Sequence, residues 1–426
     1  MTQRILLIGY NYAPEPTGIG KYNGEMMAWL ARRGYDCVVV TAYPYYPHWR
    51  VQPPYAGRSR WYRTETQPVG QGATVRVHRC PMYVPAAPSG LKRTLLDASF
   101  TLSAGLKILG LLLGKKFDLV ITVAPSFQFG LLGLLYRRVR GGRWLYHVQD
   151  LQIEAARDLG MIRSPAVLRA LFGVEKYLLR RADFVSSISE PMVRTLAKKA
   201  GRHVDTLPNW ADTAAFYPLA DRAALKTGFG LAPTDRVVLY AGAIGAKQGL
   251  ELILHAAHAG RARADIKFLI AGSGPYKEKL EAMARALKLT SVTFVPIQPA
   301  DRFNAFLNMA DLHLIIQKAD AGDLVMPSKL TTVLAVGGLA LVTANPGSGL
   351  HTLVSTHRLG VLVEAENQEQ FNEAVWTALD DGAQSLRANA RAYAEAYLAI
   401  DATMQRFVDT FLADQGPGNI NRPSNQ

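Results

Sequence analysis

The residues best able to do chemistry in this chain are cations and glycines placed where a strand hands over to a helix. In "DAGDLVMPSKL", residues 320–330, Pro327 suits a first helical turn and Ser328 or Asp323 suits a cap. The amides from Val325 and Met326 to Ser328 would then point out of the helix start toward an anion, with Lys329 beside them. "AGAIGAKQG" repeats the logic: Gly242 opens a glycine-rich turn in which Lys247 can meet a diphosphate as a point charge. Near the N-terminus, "EPTGIGKY" sets Gly18 and Gly20 ahead of a helix, where free N–H groups and the positive helix end favour an anion. In "YHVQD", His147 and Asp150 stand at the exit of a strand. Such a histidine suits a hydrogen bond to a sugar hydroxyl or to a reacting centre near neutral pH, or else a satisfied, packed imidazole.

Other chemistries lose support. A dinucleotide site would add an acidic residue at the end of the second strand, but that strand ends "VVVTAYPYY". The chain has no Asp-x-Asp pair, no G-x-S-x-G elbow, no Walker lysine motif and no Cys/His zinc spacing. Dehydrogenase, hydrolase, P-loop kinase and metalloenzyme readings all weaken, and the expectation is a site without metal.

The elements that position these groups follow from the hydrophobic pattern. With 426 residues, 49% hydrophobic and 19% charged, the composition is globular and the length implies more than one domain. "RILLIG", "DCVVVTAY", "DLVITVAP", "RWLYHVQD" and "FVSSIS" are near-continuous apolar runs alternating with helical periodicity, the pattern of a parallel sheet covered on both faces. After the proline-containing stretch 204–218, "RVVLYAGAIG" restarts the plan and "IKFLIAGSGP", "VTFVPI", "LHLIIQ" and "LALVTAN" continue it. The expectation is an α/β chain of two Rossmann-like doubly wound parallel sheets, facing a central cleft with ligands at the carboxyl ends of the strands. Residues 1–210 would form the first domain and 211–395 the second. A C-terminal helix over 396–414 would pack back toward the first, followed by a disordered tail, 415–426. The final helical pattern reads as one helix, about 387–414.

Charge divides unevenly between these halves. Through residue 213 there are 29 Lys/Arg against 14 Asp/Glu, leaving 19 against 20 of the totals 48 and 34, so the halves carry +15 and −1. A basic half points to phosphate or an anionic membrane surface, and nucleic acid is not the partner adopted. "RTLLDASFTLSAGLKILGLLLGKK", residues 93–116, offers a long apolar face flanked by bases, suited either to the bilayer surface or to a domain core. The uncharged stretch 119–136 is divided by Pro125, Ser126 and Gln128 into a strand and a helix and does not span a membrane. Cys37 and Cys80 are too few for a disulfide framework and suit a reducing cytoplasm. Between residues 43 and 91 the rhythm breaks into a long aromatic and basic segment, where Tyr45, Trp49 and Trp61 are candidates for acceptor contact.

Taken in order, "PEPTGIGKY", "HVQDL", "LPNWAD", "GAIGAKQGLE", "IAGSGP" and "PSKL" resemble the retaining GT-B glycosyltransferases of family 4, and particularly the type that builds colanic acid and related bacterial exopolysaccharides. The resemblance runs over nearly the whole chain. It implies a nucleotide diphosphate sugar as donor, a lipid-linked oligosaccharide as acceptor, and work at the cytoplasmic face of the membrane. It also implies residue roles: His147 near the transferred sugar with Asp150 as its partner, Lys247 on the diphosphate, and Gly272 and Gly274 in the turn beside the nucleotide. Where relatives carry an arginine this chain has Ala243, so Lys247 and Lys329 share the phosphate charge. Where relatives carry two glutamates eight positions apart, the second maps to Thr332 and the first falls beside Asp323. A sugar-nucleotide epimerase of the same fold and a non-catalytic membrane-attached scaffold are the alternative readings; product analysis separates the first, and donor affinity without turnover marks the second. On the leading reading, Lys247→Ala loses at least about tenfold in sugar transfer at saturating donor, with folding intact; unchanged turnover would remove Lys247 from the mechanism.

Overall fold

A computed structural model describes residues 2–413 apart from Thr17, Pro88, residues 159–161, Arg163, residues 320–327 and Gly382. The chain forms two compact units, Met1–Pro208 with Met404–Gln426, and Asn209–Thr403.

The first unit runs β1 (Arg4–Ile8), α1 (Gly18–Arg32), β2 (Asp36–Ala42), β3 (Arg63–Pro68), β4 (Thr74–Cys80), α2 (Gly90–Leu111), β5 (Leu119–Ala124), α3 (Phe129–Arg140), β6 (Arg143–Val148), α4 (Gln152–Asp158), α5 (Pro165–Arg181), β7 (Phe184–Ser187), α6 (Glu190–Ala200) and β8 (Asp205–Thr206). Among the described residues its sheet has the order β3-β4-β2-β1-β5-β6-β7-β8, parallel except for β3 against β4. The central strands read as apolar runs because both their faces are covered: every residue of β5 is buried.

The second unit runs α7 (Arg222–Gly228), β9 (Arg236–Ala241), α8 (Glu251–Ala259), β10 (Ile266–Ala271), α9 (Lys277–Ala286), β11 (Val292–Val295), α10 (Ala300–Asn308), β12 (Leu312–Ile315), α11 (Ser328–Ala335), β13 (Ala340–Thr343), α12 (Gly349–His357), β14 (Gly360–Val363), α13 (Gln368–Asp381) and α14 (Gln384–Tyr393), and α15 (Ile400–Phe411) begins in it and ends in the first unit. Its sheet has the order β11-β10-β9-β12-β13-β14, with every pair parallel. Both sheets reverse direction next to their first strand, between β1 and β5 and between β9 and β12. Such a reversal opens a crevice at the carboxyl ends of the strands, where ligands of open α/β sheets bind.

Three local features depart from the sequence pattern. β3, "RTETQP", has no apolar alternation and was not legible as a strand; it is an exposed antiparallel edge held by β4. α1 begins at Gly18, so Gly18 and Gly20 lie inside its first turn rather than ahead of it. The single C-terminal helix is broken: a π turn covers Ala394–Leu398, where the Leu398 carbonyl accepts from Ala211 N at 2.8 Å and Ala399 bridges to Ala211. Beyond the break α15 crosses into the first unit, where the carbonyls of Leu412 and Ala413 accept from Gln3 and Arg143 and Phe411 packs on Phe184.

The turns after β9 and β10 press together backbone to backbone. Gly242 N donates to Ala271 O at 2.9 Å, Ile244 N to Ser273 O at 2.9 Å, and Tyr276 N to Ile244 O at 3.2 Å. A Cβ at Gly272 would lie 1.9 Å from Gly242 O, and one at Gly274 would lie 2.1 Å from Ile244 O, with φ of +149° and +157°. Rigid backbone cannot yield to such a contact. Gly274→Ala is therefore expected to destabilise the second unit by about 3 kcal/mol or more in urea unfolding; a loss within about 0.5 kcal/mol would mean that the turns are not locked in this way.

Candidate functional site

In the second unit, the paired turns set one cation apart. The ammonium of Lys329, in the first turn of α11, lies 4.0 Å from the centroid of the Tyr240 ring at the end of β9. A Cβ at Gly242 would be 3.6 Å from the same nitrogen, so the charge sits directly on the turn. Tyr240 also fixes that turn, since its hydroxyl donates to Ala243 O at 2.6 Å. Among the described residues no carboxylate pairs with Lys329. Burial pushes its pKa down from 10.5 to about 7. A cation held in this way, next to backbone turns and at the carboxyl end of β9, is arranged to receive an anion.

Lys247 belongs to the 3₁₀ turn Ala246–Gln248, closed by Gln248 Oε1 accepting from Gly245 N at 3.0 Å. Its side chain lies outside the described residues, as do the side chain of Ser328 and the whole of Asp323, Val325, Met326 and Pro327. Thr332 lies one turn into α11 and is half-buried. Gly272 and Gly274 admit the close packing of the two turns. A cavity of about 310 Å³ opens past the ends of β12 and β13, lined in part by Lys318, Asn345 and Ser348.

In the first unit, His147 is the fifth residue of β6 and only 3% exposed. Its Nδ1 is 2.9 Å from Ser186 Oγ on β7, and burial drops its pKa to about 4, so the ring is neutral at physiological pH and suited to hydrogen bonding rather than charge. Asp150 follows β6 and is exposed. The opening loop is organised by Glu15. This carboxylate is 4% exposed and accepts from Tyr45 N and Tyr46 N, each at 3.0 Å, and from Asn11 Nδ2 at 2.8 Å. Burial raises its pKa, and these three donors oppose the rise. A Cβ at Gly20 would lie 2.4 Å from Glu15 Oε2, so glycine is required there to admit this carboxylate. Gly18, at φ +62°, starts the helix.

The three aromatics proposed for acceptor contact part company. Tyr45 is core, 3% exposed and packed on Tyr10 and Trp49, whereas Trp49 is half-buried beneath Arg93. Trp61 alone of the three presents its ring to solvent, at 74% exposure. Sequence reasoning passed over Tyr240, Glu15 and Asp97. Asp97, on the buried face of α2, hydrogen-bonds with Ser126 and Tyr10, and burial pushes its pKa up to about 7. A lone acid in the apolar run "TLLDASFTL" was the signal for it. Among the described residues no group of three or more His, Cys, Asp or Glu side chains is placed to hold a metal.

The Lys329 arrangement has a stability consequence. Because its folded pKa lies below the unfolded value, the unfolded chain binds more protons between about pH 7 and 10.5, and stability gains from this group as pH rises through that window. Lys329→Met removes the cost. The variant is expected to be more stable than the native chain by about 1–3 kcal/mol at pH 7, with the advantage fading toward pH 10.5 in urea titrations. A destabilised variant, or a pH-independent difference, would contradict the assignment.

Comparison with known proteins matches this geometry to a family. The Glycosyl transferase 4-like domain matches residues 17–210 and Glycosyl transferases group 1 matches residues 221–397. A protein of Escherichia coli (strain K12) named for colanic acid biosynthesis as the glycosyl transferase WcaI is 38% identical over 415 residues, covering 95% of this chain and 99% of that one. Among solved structures, sucrose-phosphate synthase from Thermosynechococcus elongatus superposes with a TM-score of 0.72 at 18% identity, over 96% of this chain and 98% of that one. Anabaena HepE in complex with UDP and glucose gives a TM-score of 0.66 at 14% identity, over 96% and 99%. With its two Rossmann-like units, this chain belongs to the GT-B glycosyltransferases, in the family of the colanic acid type, and is a hexosyltransferase-type enzyme.

Proposed function

We propose that this enzyme transfers a hexosyl group from a nucleotide diphosphate sugar to a lipid-linked oligosaccharide with retention of anomeric configuration. The setting is the assembly of colanic acid or a similar exopolysaccharide, at the cytoplasmic face of the membrane with peripheral contact. The observation that carries the donor half is Lys329: an enclosed ammonium, without a carboxylate among the described residues, on the Gly242 turn and over Tyr240. The UDP held in the Anabaena HepE structure and the process named for the Escherichia coli relative support the same reading.

In this reading the acceptor hydroxyl attacks the anomeric carbon from the leaving-group side. The bond between that carbon and the β-phosphate oxygen breaks, its electron pair passes to the phosphate, and the phosphate takes the hydroxyl proton. Charge therefore grows on the diphosphate as the reaction proceeds. Lys329, Lys247 and the start of α11 stabilise it, and because the Tyr240 ring and the Gly242 turn hold Lys329 before substrate arrives, little reorganisation is needed there. No metal is required for that task. Neutral His147 orients the donor sugar, Asp150 assists it, and Trp61 offers a stacking face to the acceptor.

Binding an anion beside Lys329 raises its pKa, so above neutrality the complex forms with proton uptake. At pH 8, calorimetric titration with uridine and guanosine diphosphate, each in buffers of different ionisation enthalpy, is expected to show uptake on the order of 0.8 proton for the nucleotide that binds. Lys329→Met abolishes the uptake and weakens binding at least about tenfold. Binding without buffer dependence, or unchanged in the variant, would overturn the donor-site assignment.

A further inference from the structure

Five leucines of α2 form a single line. At about 100° per residue, Leu91, Leu95, Leu102, Leu106 and Leu109 fall within about 60° of one another, and each is at least half exposed; Leu113, just past the helix, is 91% exposed. The opposite side of α2 is anchored in the unit through Leu96, Phe100, Ala104 and Ile108. A helix anchored in this way does not cross a bilayer, although α2 has the length and composition to do so.

The line continues sideways. α3 lies between α2 and α5: a Cβ at Gly105 would be 3.6 Å from Leu132 on α3, one at Gly130 would be 3.1 Å from Leu178 on α5, and Arg138 donates to Tyr177 Oη at 2.6 Å. The neighbours add exposed Leu131 and Val139 on α3 and Val167 and Val174 on α5. Exposed cations surround this apolar strip: Lys92, Lys115 and Lys116 near α2, Arg138 on α3, and Arg169 and Lys176 on α5. The only acids in the three helices are Asp97 and Glu175, both buried, and Glu175 is paired with Lys199. The three helices thus present exposed apolar side chains and exposed cations and, from their own residues, no exposed carboxylate.

We infer that the outer face of α2, α3 and α5 is a docking surface for an anionic phospholipid bilayer, with the α2 leucines entering the acyl boundary and the flanking bases meeting headgroup phosphates. A second copy of the chain is a poor occupant, because a self-paired face would oppose like charges. The inference rests on the proposed lipid-linked acceptor and deepens it, by naming the surface that brings the enzyme to that acceptor.

The test floats the full chain with phosphatidylcholine vesicles prepared with and without phosphatidylglycerol. Binding is expected with phosphatidylglycerol, to weaken as salt rises from about 0.1 to about 0.5 M, and to fall at least about tenfold in L102Q/L106Q and in R169E/K176E. Both variants keep the native melting temperature and the native shift with nucleoside diphosphate. Absence of native binding to anionic vesicles, undiminished binding by both variants, or a leucine-dependent dimer in sedimentation equilibrium in place of vesicle binding would each overturn the inference. Nucleotide binding without vesicle binding overturns the docking surface and leaves the donor reading standing; vesicle binding without nucleotide binding does the reverse.

Discussion

An ammonium enclosed by protein with no counter-charge costs folding free energy, and a chain that keeps one gains from it when an anion arrives. Among the described residues Lys329 is in that position, its ammonium above an aromatic ring and against the turn that follows β9. Much of the second unit serves to hold it there. The apolar strands β9, β10, β12 and β13 fix where α11 begins relative to the turn, and Tyr240 joins the two by carrying the cation on its ring while its hydroxyl clamps Ala243. Stability given up at the lysine is available as affinity for a diphosphate.

Glycine has a different part here from the one its spacing suggests. Gly272 and Gly274 exist so that two turns can share backbone hydrogen bonds, and Gly20 exists so that Glu15 can fill the space beside it. The ligand-facing surface is then what remains once the backbone has satisfied itself, and a rigid turn is what a preorganised charge site needs. The first unit follows the same rule with buried polar groups. Glu15 ties residues 11, 45 and 46 together, and Arg79, itself 1% exposed, holds Ala13 O, Ala42 O and Glu65. The loops at the carboxyl end of that sheet are therefore set by charge buried beneath them.

The fold was legible where burial is two-sided. "RILLI", "LVITVA" and "RVVLYA" are short, near-continuous apolar runs that suit central parallel strands, and two sets of them implied two doubly wound units. "RTETQP" was not legible, because an exposed edge strand needs no apolar face, and the break at residues 394–399 depends on a bridge to Ala211 far away in sequence. At the site, the "PSK" helix start pointed to Lys329, but the letters could not show that its ammonium would lie over the Tyr240 ring with no carboxylate beside it among the described residues, since that depends on tertiary packing. Tyr240 and Asp97 were not singled out, because a tyrosine within an apolar strand and a single acid within an apolar helix carry no spacing signal of their own. His147 was legible as a strand-end histidine, whereas its burial and its hydrogen bond to Ser186 were not.

The central claim is that Lys329 is a depressed, anion-responsive cation. The direct measurement is a pH titration of its side-chain ¹³Cε resonance in lysine-labelled protein, assigned by Lys329→Met and repeated with saturating nucleoside diphosphate. The account predicts a midpoint near 7 for the free enzyme and one shifted upward by about two units or more when the diphosphate is bound. A free-enzyme midpoint near the ordinary lysine value, or one that the nucleotide leaves in place, would contradict it.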